Sequence, residues 1–349
     1  MVQKSDFPTP IEQRIKAEAA RLGFSLCGIT NAAPLAEYMR YEAWLQKDGH
    51  GPMQYLNSPY HRDTRKDPAR LESWVRSIIC LGWSYDIHFQ GSKEKGWLAG
   101  YTSGEDYHLL LHRKMEELAE YIQQAFGTDT QIRGFTDSAP LLERELASRA
   151  GLGWIGKNGC LISPIIGSGF LLAELFVNIS LQPDPPFLNN YCGTCTRCLE
   201  ACPTACIQPD RTLDSSRCLS FLTIENKGTF PQELLQFVNN WFFGCDACQS
   251  VCPWNKKFSK GKTDYYPADW EEQQIISVLR ENAQTISRKY RTSALSRAKW
   301  KGLARNALVF LGNHPNPEAS QTIRSFMQAN PYIDLQELAA WALKRNQSD

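Results

Sequence analysis

The chain has 349 residues, a formal net charge of +1 and 42% hydrophobic residues. This length allows about two or three domains, and the apolar content is ordinary for a globular protein. The near-neutral charge excludes a global field that attracts nucleic acid or an anionic membrane. No segment approaches the roughly 18 apolar residues of a membrane-spanning helix, and the start, MVQKSDFPTP, lacks the apolar region of a signal peptide. We therefore expect a cytoplasmic protein that does not bind membranes.

The first half of the sequence mixes helical and extended patterns of apolar residues. We predict helices over 10–22, 106–126 and 139–150, and strands over 24–29, 77–83, 131–135 and 171–181. Because these elements lack regular βαβ spacing, they favour an α+β domain, placed at residues 1–188, over a doubly wound sheet.

Two features of this half are candidates for a binding site. In GFTDSAPLLER (134–144), Asp137 stands at a strand end, where its carboxylate can face a pocket or can simply cap the next helix. In GLGWIGKNG (151–159), the glycines around Lys157 and Asn158 allow the backbone to approach a ligand closely. No GxGxxG follows a strand, so NAD or FAD on a Rossmann unit is not expected.

Seven of the twelve cysteines lie in two runs, CxxCxxCxxxCP and CxxCxxxCP, and an eighth, Cys218, lies between the runs. This is the spacing of bacterial two-cluster ferredoxins, in which the fourth cysteine of a run binds the other cluster. We predict a ferredoxin-like domain over 189–258 with two [4Fe–4S] sites. The ligands of the first are Cys192, Cys195, Cys198 and Cys252, and those of the second are Cys202, Cys218, Cys245 and Cys248.

Zinc is the alternative occupant of CxxC pairs, but it favours two separated pairs with Cys or His partners rather than one long run. A radical S-adenosylmethionine site would need CxxxCxxC, which does not occur. Cys27 and Cys80 lie in apolar segments and are predicted to be core thiols. Cys160 and Cys206 are nearer to the clusters in sequence, and we expect Cys206 to pack there rather than to bind iron.

After Pro253 the pattern changes to helices alone, and residues 259–349 are predicted to form an all-α, HEAT-like repeat module. Helices are predicted over 270–282, 292–312, 317–329 and 334–345. Between positions 280 and 305, eight basic residues face one acid, with Tyr290 and Trp300 interleaved. This composition suits an RNA backbone and stacked bases, and it equally suits a solvated basic face. The candidate RNA contacts are Arg291, Arg297, Lys299, Lys301 and Arg305.

Several motifs together resemble the epoxyqueuosine reductase family, from about residue 10 to the end. They are DSAPLLERELASRAGLGWIGKN, CGTCTRCLEACPTACI, RCLSFLTIENKG, FFGCDACQSVCPWN and WKGLARNALVFLGN. The resemblance implies a cytoplasmic enzyme with cobalamin and two [4Fe–4S] clusters. Such an enzyme reduces epoxyqueuosine to queuosine at the wobble position of tRNA, the last step of queuosine synthesis.

The resemblance also implies roles for single residues and partners. Asp137 matches the family's aspartate beside the cobalt, which is proposed to be the proton donor. Where relatives often have an Arg-Tyr pair, this chain has Gly100-Tyr101. The implied partners are tRNA with epoxyqueuosine and an external one-electron donor of the flavodoxin or ferredoxin type, and we expect a monomer. Residues that match the family's cobalamin pocket are Arg65, Tyr107, His108, Asp137, Lys157, Asn158 and Ser220.

Removing an epoxide oxygen as water consumes two electrons and two protons. Cobalamin would supply the strongly reducing centre, and the clusters would supply single electrons. Two other functions fit part of the pattern: a corrinoid reductase of small organohalides and a non-catalytic electron-transfer protein. The missing export leader and the basic tail argue against the first, and the long N-terminal half argues against the second.

Overall fold

The computed structural model describes residues 9–87, 94–258 and 269–346. The segment MVQKSDFP, considered above as a possible leader, and residues 259–268, at the start of the predicted helical module, lie outside them. Within the described ranges, no helix combines the length and the apolar character that crossing a bilayer requires.

The strands are β1 (Leu26–Asn31), β2 (Ser77–Ser84), β3 (Trp97–Leu98), β4 (Ile132–Phe135), β5 (Trp154–Ile155), β6 (Leu161–Ile162), β7 (Phe170–Val177) and β8 (Trp241–Phe243). The helices of the first half are α1 (Ile11–Arg21), α2 (Tyr38–Gln46), α3 (Pro59–Lys66), α4 (Tyr107–Phe126) and α5 (Glu143–Arg149). Those of the second half are α6 (Arg197–Glu200), α7 (Leu219–Ile224), α8 (Leu235–Val238), α9 (Ala247–Ser250), α10 (Pro253–Phe258), α11 (Glu272–Arg280), α12 (Ala283–Lys289), α13 (Lys299–Asn313), α14 (Pro317–Ala329) and α15 (Ile333–Arg345).

The first half is built on a four-stranded antiparallel sheet in the order β1–β2–β7–β4. Since successive side chains of a strand point to opposite faces, β2 supplies two cores. Ile79 and Leu81 pack with α1 and α4, whereas Ile78 and Cys80 pack with α5. The predicted α+β character of this half and the predicted burial of Cys80 are confirmed.

The sequence missed helices that carry little apolar periodicity. The eight residues of α3 are almost all polar, with one buried side chain, Thr64. This helix depends instead on local chemistry: Pro59 occupies its first turn, and the Ser58 side chain accepts a hydrogen bond from the His61 N–H. Helix α5 begins four residues later than predicted, at Glu143 rather than Ala139, because the 136–142 segment forms a loop.

After Pro253, the regular elements of the described residues are all helices, as predicted, and one continuous core joins them to earlier parts of the chain. Strand β3 pairs in parallel with β8, and Gly96 bridges to Trp270. Side chains of β3, α7 and β8 pack in the same core as α11 to α15. The predicted domain boundary between residues 258 and 259 therefore falls within the span of a single hydrophobic core.

Arg305 lies inside this core and not on a basic surface. Its side chain is buried, with the residue 4% exposed, and the guanidinium donates to the main-chain carbonyls of Leu222, Asn226 and Gly228. Burial lowers the pKa of Arg305 to about 10. The prediction that Arg305 contacts RNA is thus corrected: its donors are consumed in tying α13 to the end of α7.

Replacing Arg305 with Leu should leave these carbonyls without donors while keeping much of the side-chain volume. We expect a loss of roughly 2–4 kcal/mol in the free energy of unfolding. Chemical denaturation measures it, with Arg324→Leu on the exposed side of α14 as the matched control. Equal unfolding midpoints for both variants would contradict the structural role.

Candidate functional site

A cavity of about 690 Å³, open to solvent, lies between elements of the first half of the chain and segments of the second half. Its walls come from α2, α3, the loop after β4, the start of α5 and the segment 211–215. The lining mixes aromatic and aliphatic groups with guanidinium groups. The apolar members include Tyr41, Trp44, Leu56, Leu142 and Leu213, and the cationic members are Arg40, Arg65, Arg144, Arg211 and Arg297.

Arg65, which the family resemblance assigned to the cobalamin pocket, lies in the wall of this cavity. It stands in the last turn of α3, with its guanidinium carbon 5.4 Å from the centre of the Tyr41 ring and Nη1 2.7 Å from His61 Nδ1. Burial lowers the pKa of Arg65, and burial together with the Arg65 charge lowers the pKa of His61. The wall therefore carries a fixed positive charge beside an imidazole that favours its neutral form.

Asp137 projects from the loop after β4 with left-handed backbone geometry, at φ +50°. Its Oδ2 accepts hydrogen bonds from the Tyr107 hydroxyl at 2.9 Å and from Arg297 Nη1 at 3.0 Å, and His108 Nε2 lies 3.8 Å away. Burial and the nearby Asp137 charge raise the pKa of Tyr107, so the phenol stays a donor. The structure thus brings Tyr107, His108 and Asp137 together, and their assignment to a cobalamin pocket stays a prediction.

Arg297 was predicted to bind RNA, and the structure places it against Asp137. It reaches the cavity from the turn before α13 and also pairs with Glu225. Partial burial lowers the pKa of Arg297, but the negative charges of Asp137 and Glu225 have the larger combined effect, so the pKa is raised. The second half of the chain thus contributes a permanent cation to the candidate site.

Glu143, the first residue of α5, lines the cavity beside Asp137. Its Oε1 accepts a hydrogen bond of 2.8 Å from the main-chain N–H of Asp137. Loss of hydration and the Asp137 charge raise the pKa of Glu143 to about 7. The Glu143 carboxyl, which holds a proton near neutral pH, therefore contacts the loop that carries Asp137.

Beneath Glu143, the sheet contains a buried carboxyl, Glu174. It lies on β7 between Cys80 of β2 and Phe135 of β4, is 0% exposed, and neither of its oxygens has a hydrogen-bond partner among the described residues. Burial, reinforced by the charges of Glu143 and Asp137, raises its pKa well above the ordinary value. We infer that Glu174 is protonated and neutral, because an unpaired buried carboxylate is very costly.

The four cysteines assigned to the first cluster converge around a cavity of about 50 Å³. Cys192, Cys195 and Cys198 come from the loop before α6 and from α6 itself, and Cys252 precedes α10. Burial and the other three thiols raise the pKa of Cys198 to about 11. Trp154 Nε1 lies 3.4 Å from Cys192 Sγ, and an aromatic group of Phe187, Tyr191 and Trp254 surrounds Trp154.

The second group, Cys202, Cys218, Cys245 and Cys248, is joined by two further thiols. Cys206 Sγ lies 3.4 Å from Cys202 Sγ, and Cys160 forms a hydrogen bond with Cys248. The location of Cys206 matches the expected packing beside ligands. Because Ser215, three residues before Cys218, and Gly159, next to Cys160, both line the large cavity, the second cysteine group is its neighbour.

Of the residues assigned to the cobalamin pocket, Arg65 and Asp137 line the large cavity, whereas Tyr107, His108, Lys157, Asn158 and Ser220 are not part of its lining. The last three lie near the cysteine groups instead. Lys157 Nζ donates to the carbonyls of Gly193 and Cys195, which places it at the first cysteine group. Asn158 is buried and accepts from the Cys160 N–H through its side-chain oxygen. Ser220 lies on α7, two residues after Cys218. All three therefore border the cysteine groups, and the contacts described at Lys157 and Asn158 are with protein atoms.

Gly100, where relatives often have arginine, is sterically required in this chain. A Cβ atom there would lie 1.7 Å from the Asp86 carbonyl oxygen, and the Gly100 N–H donates to Asp246 Oδ2 at 2.8 Å. An arginine at position 100 would need a different path of the 86–87 backbone.

Three of the predicted RNA contacts lie outside the core, and a fourth basic residue, Lys227, lies close to one of them. Arg291 and Lys299 are exposed, and Lys301 pairs with Asp334 and lies over the Tyr332 ring. Lys227 was missed; its Nζ lies 3.5 Å from the Arg297 carbonyl, and its pKa is lowered by burial and by the charges of Lys299, Arg305 and Arg297. Arg297, Lys299 and Lys227 thus form a basic group beside the cavity.

Comparison with known proteins identifies the family. Residues 65–138 match the family model of epoxyqueuosine reductase QueG, and residues 191–255 match a 4Fe-4S double cluster binding domain. An epoxyqueuosine reductase of Cyclobacterium marinum is 41% identical over 300 residues, which cover 84% of this chain and 94% of the relative. The chain belongs to the epoxyqueuosine reductase family. The Pseudomonas aeruginosa member is 36% identical, with 97% of this chain and 95% of the relative covered.

Solved structures of epoxyqueuosine reductases have the same fold. The Streptococcus thermophilus enzyme superposes with a TM-score of 0.87 at 28% identity, covering 97% of this chain and 91% of that one. A structure with an epoxyqueuosine-modified tRNA-Tyr stem loop gives 0.87 at 26% identity, covering 96% and 90%. The Bacillus subtilis enzyme, described with its catalytic aspartate loop swung out of the active site, gives 0.85 at 26% identity, covering 96% and 90%.

Replacing Glu174 with Gln should change the pH dependence of stability. Because folding raises the pKa of Glu174 above its ordinary 4.5, the folded wild type loses stability as pH rises above that value. The variant lacks this loss. The difference in free energy of unfolding between the variant and wild type should therefore shift in favour of the variant by about 1.4 kcal/mol per pH unit, until the pH reaches the pKa of Glu174 in the folded protein.

Thermal melting from pH 4 to 9 measures this difference, with Glu116→Gln on the exposed side of α4 as the control. A constant offset between Glu174→Gln and wild type across that range would contradict a buried, protonated Glu174.

Proposed function

We propose that this chain reduces epoxyqueuosine to queuosine in tRNA, in the cytoplasm. The reaction consumes two electrons and two protons and releases the epoxide oxygen as water. The observation that carries the proposal is the Asp137 carboxylate, held by Tyr107 and Arg297 in the wall of a cavity that borders a cysteine group. Family membership supports the same reaction.

We propose cobalamin as the occupant of the large cavity. Its apolar and aromatic lining suits the faces of a corrin ring, and its guanidinium groups suit the peripheral amide oxygens. Arg65, Tyr107 and Asp137 would border the cofactor, and Ser220 would lie toward the second cluster. Bound cobalamin would supply a strongly reducing metal centre.

The two cysteine groups are proposed to hold two [4Fe–4S] clusters with the ligands assigned above. Thiolates are the ordinary ligands of such clusters, and clusters supply electrons singly. The first group lies nearer to exposed residues, since Tyr191 is 50% and Leu188 86% exposed. An external one-electron donor of the flavodoxin or ferredoxin type would act on that side, with the protein as a monomer.

The proposed role of Asp137 is to pass a proton to the epoxide oxygen as the ring opens, after its carboxylate has taken up that proton from solvent through the open cavity. Both described donors act on Oδ2, so Oδ1 is the oxygen available to face a substrate. The Tyr107 and Arg297 contacts orient the carboxyl group without occupying that atom. By analogy with the Bacillus subtilis enzyme, whose aspartate loop has been seen swung out, we propose that the 136–142 loop moves during turnover.

The tRNA partner is proposed to bind on the basic group of Lys227, Arg297 and Lys299 beside the cavity, with Arg291 and Lys301 further along the HEAT-like helices. A relative's complex with a modified stem loop supports an RNA ligand of this kind. The wobble nucleoside would leave the stack to enter the cavity, as enzymes that modify a nucleobase generally require.

The deciding experiment is nucleoside mass spectrometry of tRNA carrying epoxyqueuosine after anaerobic incubation. The protein is first reconstituted with both clusters and cobalamin, and a strong reductant is supplied. We expect a mass decrease equal to one oxygen. No change with fully loaded protein would overturn the proposal in favour of a small-molecule reductase.

Replacing Asp137 with Ala should abolish most turnover, by roughly 10²–10⁴-fold, because the carboxyl that protonates the leaving oxygen is lost. Iron content and corrinoid absorption should remain at wild-type levels. Asp129→Ala, in the exposed turn after α4, is the matched control. Turnover at the wild-type rate in the Asp137 variant would remove this residue from the mechanism.

Reversing the charge of Lys227 and Lys299 should weaken the binding of the tRNA stem loop and reduce its salt dependence by about one unit of slope per lost phosphate contact. Binding titrations at several salt concentrations measure both effects. The double variant Arg14→Glu/Arg324→Glu, on the exposed sides of α1 and α14, controls for the equal change in net charge. A slope equal to that of the control would locate the RNA elsewhere.

A further inference from the structure

Few described hydrogen bonds tie the loop that carries Asp137 to the rest of the molecule. At the start of the loop, the side-chain hydroxyl of Thr136 donates to the Leu172 carbonyl at 2.8 Å. The next residue adopts φ +50°, a conformation that costs a non-glycine residue energy and persists only where neighbours hold it. Tyr107 and Arg297 contact the carboxylate of Asp137 but not its backbone. The described contact on the backbone N–H is Glu143 Oε1 at 2.8 Å.

Glu143 is itself firmly placed. It is the first residue of α5, whose Leu146 and Ala147 are fully buried against the sheet. An acceptor on a packed helix can therefore act as a rigid reference for a neighbouring loop. A free Asp137 N–H would instead face the open cavity, where water competes for it.

We propose that Glu143 is a positioning residue that clamps the Asp137 main chain, and so sets whether the Asp137 carboxyl faces the cavity. This inference rests on the proposed role of Asp137. It assigns Glu143 no contact with substrate; its action is exerted wholly through the loop.

Charged groups on every side bear on this clamp. The negative charge of Asp137 raises the pKa of Glu143, and the positive charges of Arg144 of α5 and Arg65 of α3 lower it. The buried carboxyl of Glu174 on β7 also interacts with Glu143. His61, from α3, also lines the cavity, with its pKa lowered. Because Glu174 is neutral, it does not repel the negative charge that Glu143 acquires when it loses its proton. Since a carboxylate accepts more strongly than a carboxylic acid, the clamp should tighten as Glu143 loses its proton.

Hydrogen–deuterium exchange on peptides that cover 135–142 tests the clamp without any need for turnover. Glu143→Ala removes the acceptor, and Glu143→Asp withdraws it by one methylene while keeping the charge. Both should speed exchange in this segment at least tenfold. Glu143→Gln keeps an acceptor oxygen at the same reach and should restore protection to within a few-fold of wild type.

Glu145→Ala serves as the exchange control, because Glu145 is in the same turn of α5 but accepts from the Glu37 N–H. If Glu143→Ala does not fold, Glu143→Asp carries the test. Unchanged exchange in the Asp variant, or equal acceleration in the Glu145 control, would overturn the proposal.

Turnover of tRNA carrying epoxyqueuosine supplies the functional readout. Glu143→Ala should lower kcat by about 10–100-fold with KM nearly unchanged, as expected for a misplaced catalytic group. Glu143→Gln should recover most of kcat, and a Gln variant as slow as the Ala variant would contradict a positioning role. If wild type shows no turnover while exchange behaves as described, the proposed function fails and the clamp stands.

Discussion

Asp137 is the residue on which two distant parts of the chain and the neighbouring helix α5 converge. Tyr107 reaches it from α4, Arg297 from the turn before α13, and Glu143 holds its backbone from α5. The left-handed backbone at Asp137 costs about 1–3 kcal/mol and is stable only because these neighbours hold it. The site therefore exists only when the helical second half is docked on the sheet of the first half.

Around this point the cavity separates two kinds of chemistry. The wall formed by the β4 loop and α5 carries the carboxyls Asp137 and Glu143, with a protonated Glu174 beneath them. The segment 211–215 also lines the cavity and leads within three residues to Cys218. In the proposed reaction, carboxyl groups that bind protons and a cysteine group that holds a cluster would thus border the same space.

The parts of this site that the sequence predicted are those encoded locally. The cysteine spacing predicted two groups, and in the structure the four cysteines assigned to the first cluster line one small cavity. The assignment of all eight cysteines as cluster ligands stays a prediction. The resemblance to the family assigned Tyr107, His108 and Asp137 to one pocket, and in the structure the Tyr107 hydroxyl and His108 Nε2 both lie near Asp137 Oδ2. The Asp137–Arg297 contact joins residues 160 positions apart and left no pattern to detect.

Charge composition was the weakest guide. The basic stretch 280–305 predicted one surface, but Arg305 is buried among carbonyls, Arg297 faces the cavity and Lys301 pairs with Asp334. Net composition cannot distinguish these fates, because burial depends on how α13 packs on α7. Glu174 left a detectable signal, a single acid in the apolar run FLLAELFV, whose meaning became clear only from its lack of partners.

The continuous core that runs from β3 through β8 to α15 has a mechanical consequence. A helical module with its own core could swing toward the cavity when a ligand arrives, but one that shares its interior with the neighbouring β-strands cannot turn without opening that interior to water. Rotation of the helical module against β3, α7 and β8 is thus energetically unfavourable. In the proposed complex with tRNA, much of the deformation that brings the wobble nucleoside into the cavity would therefore fall on the nucleic acid and on the short Asp137 loop.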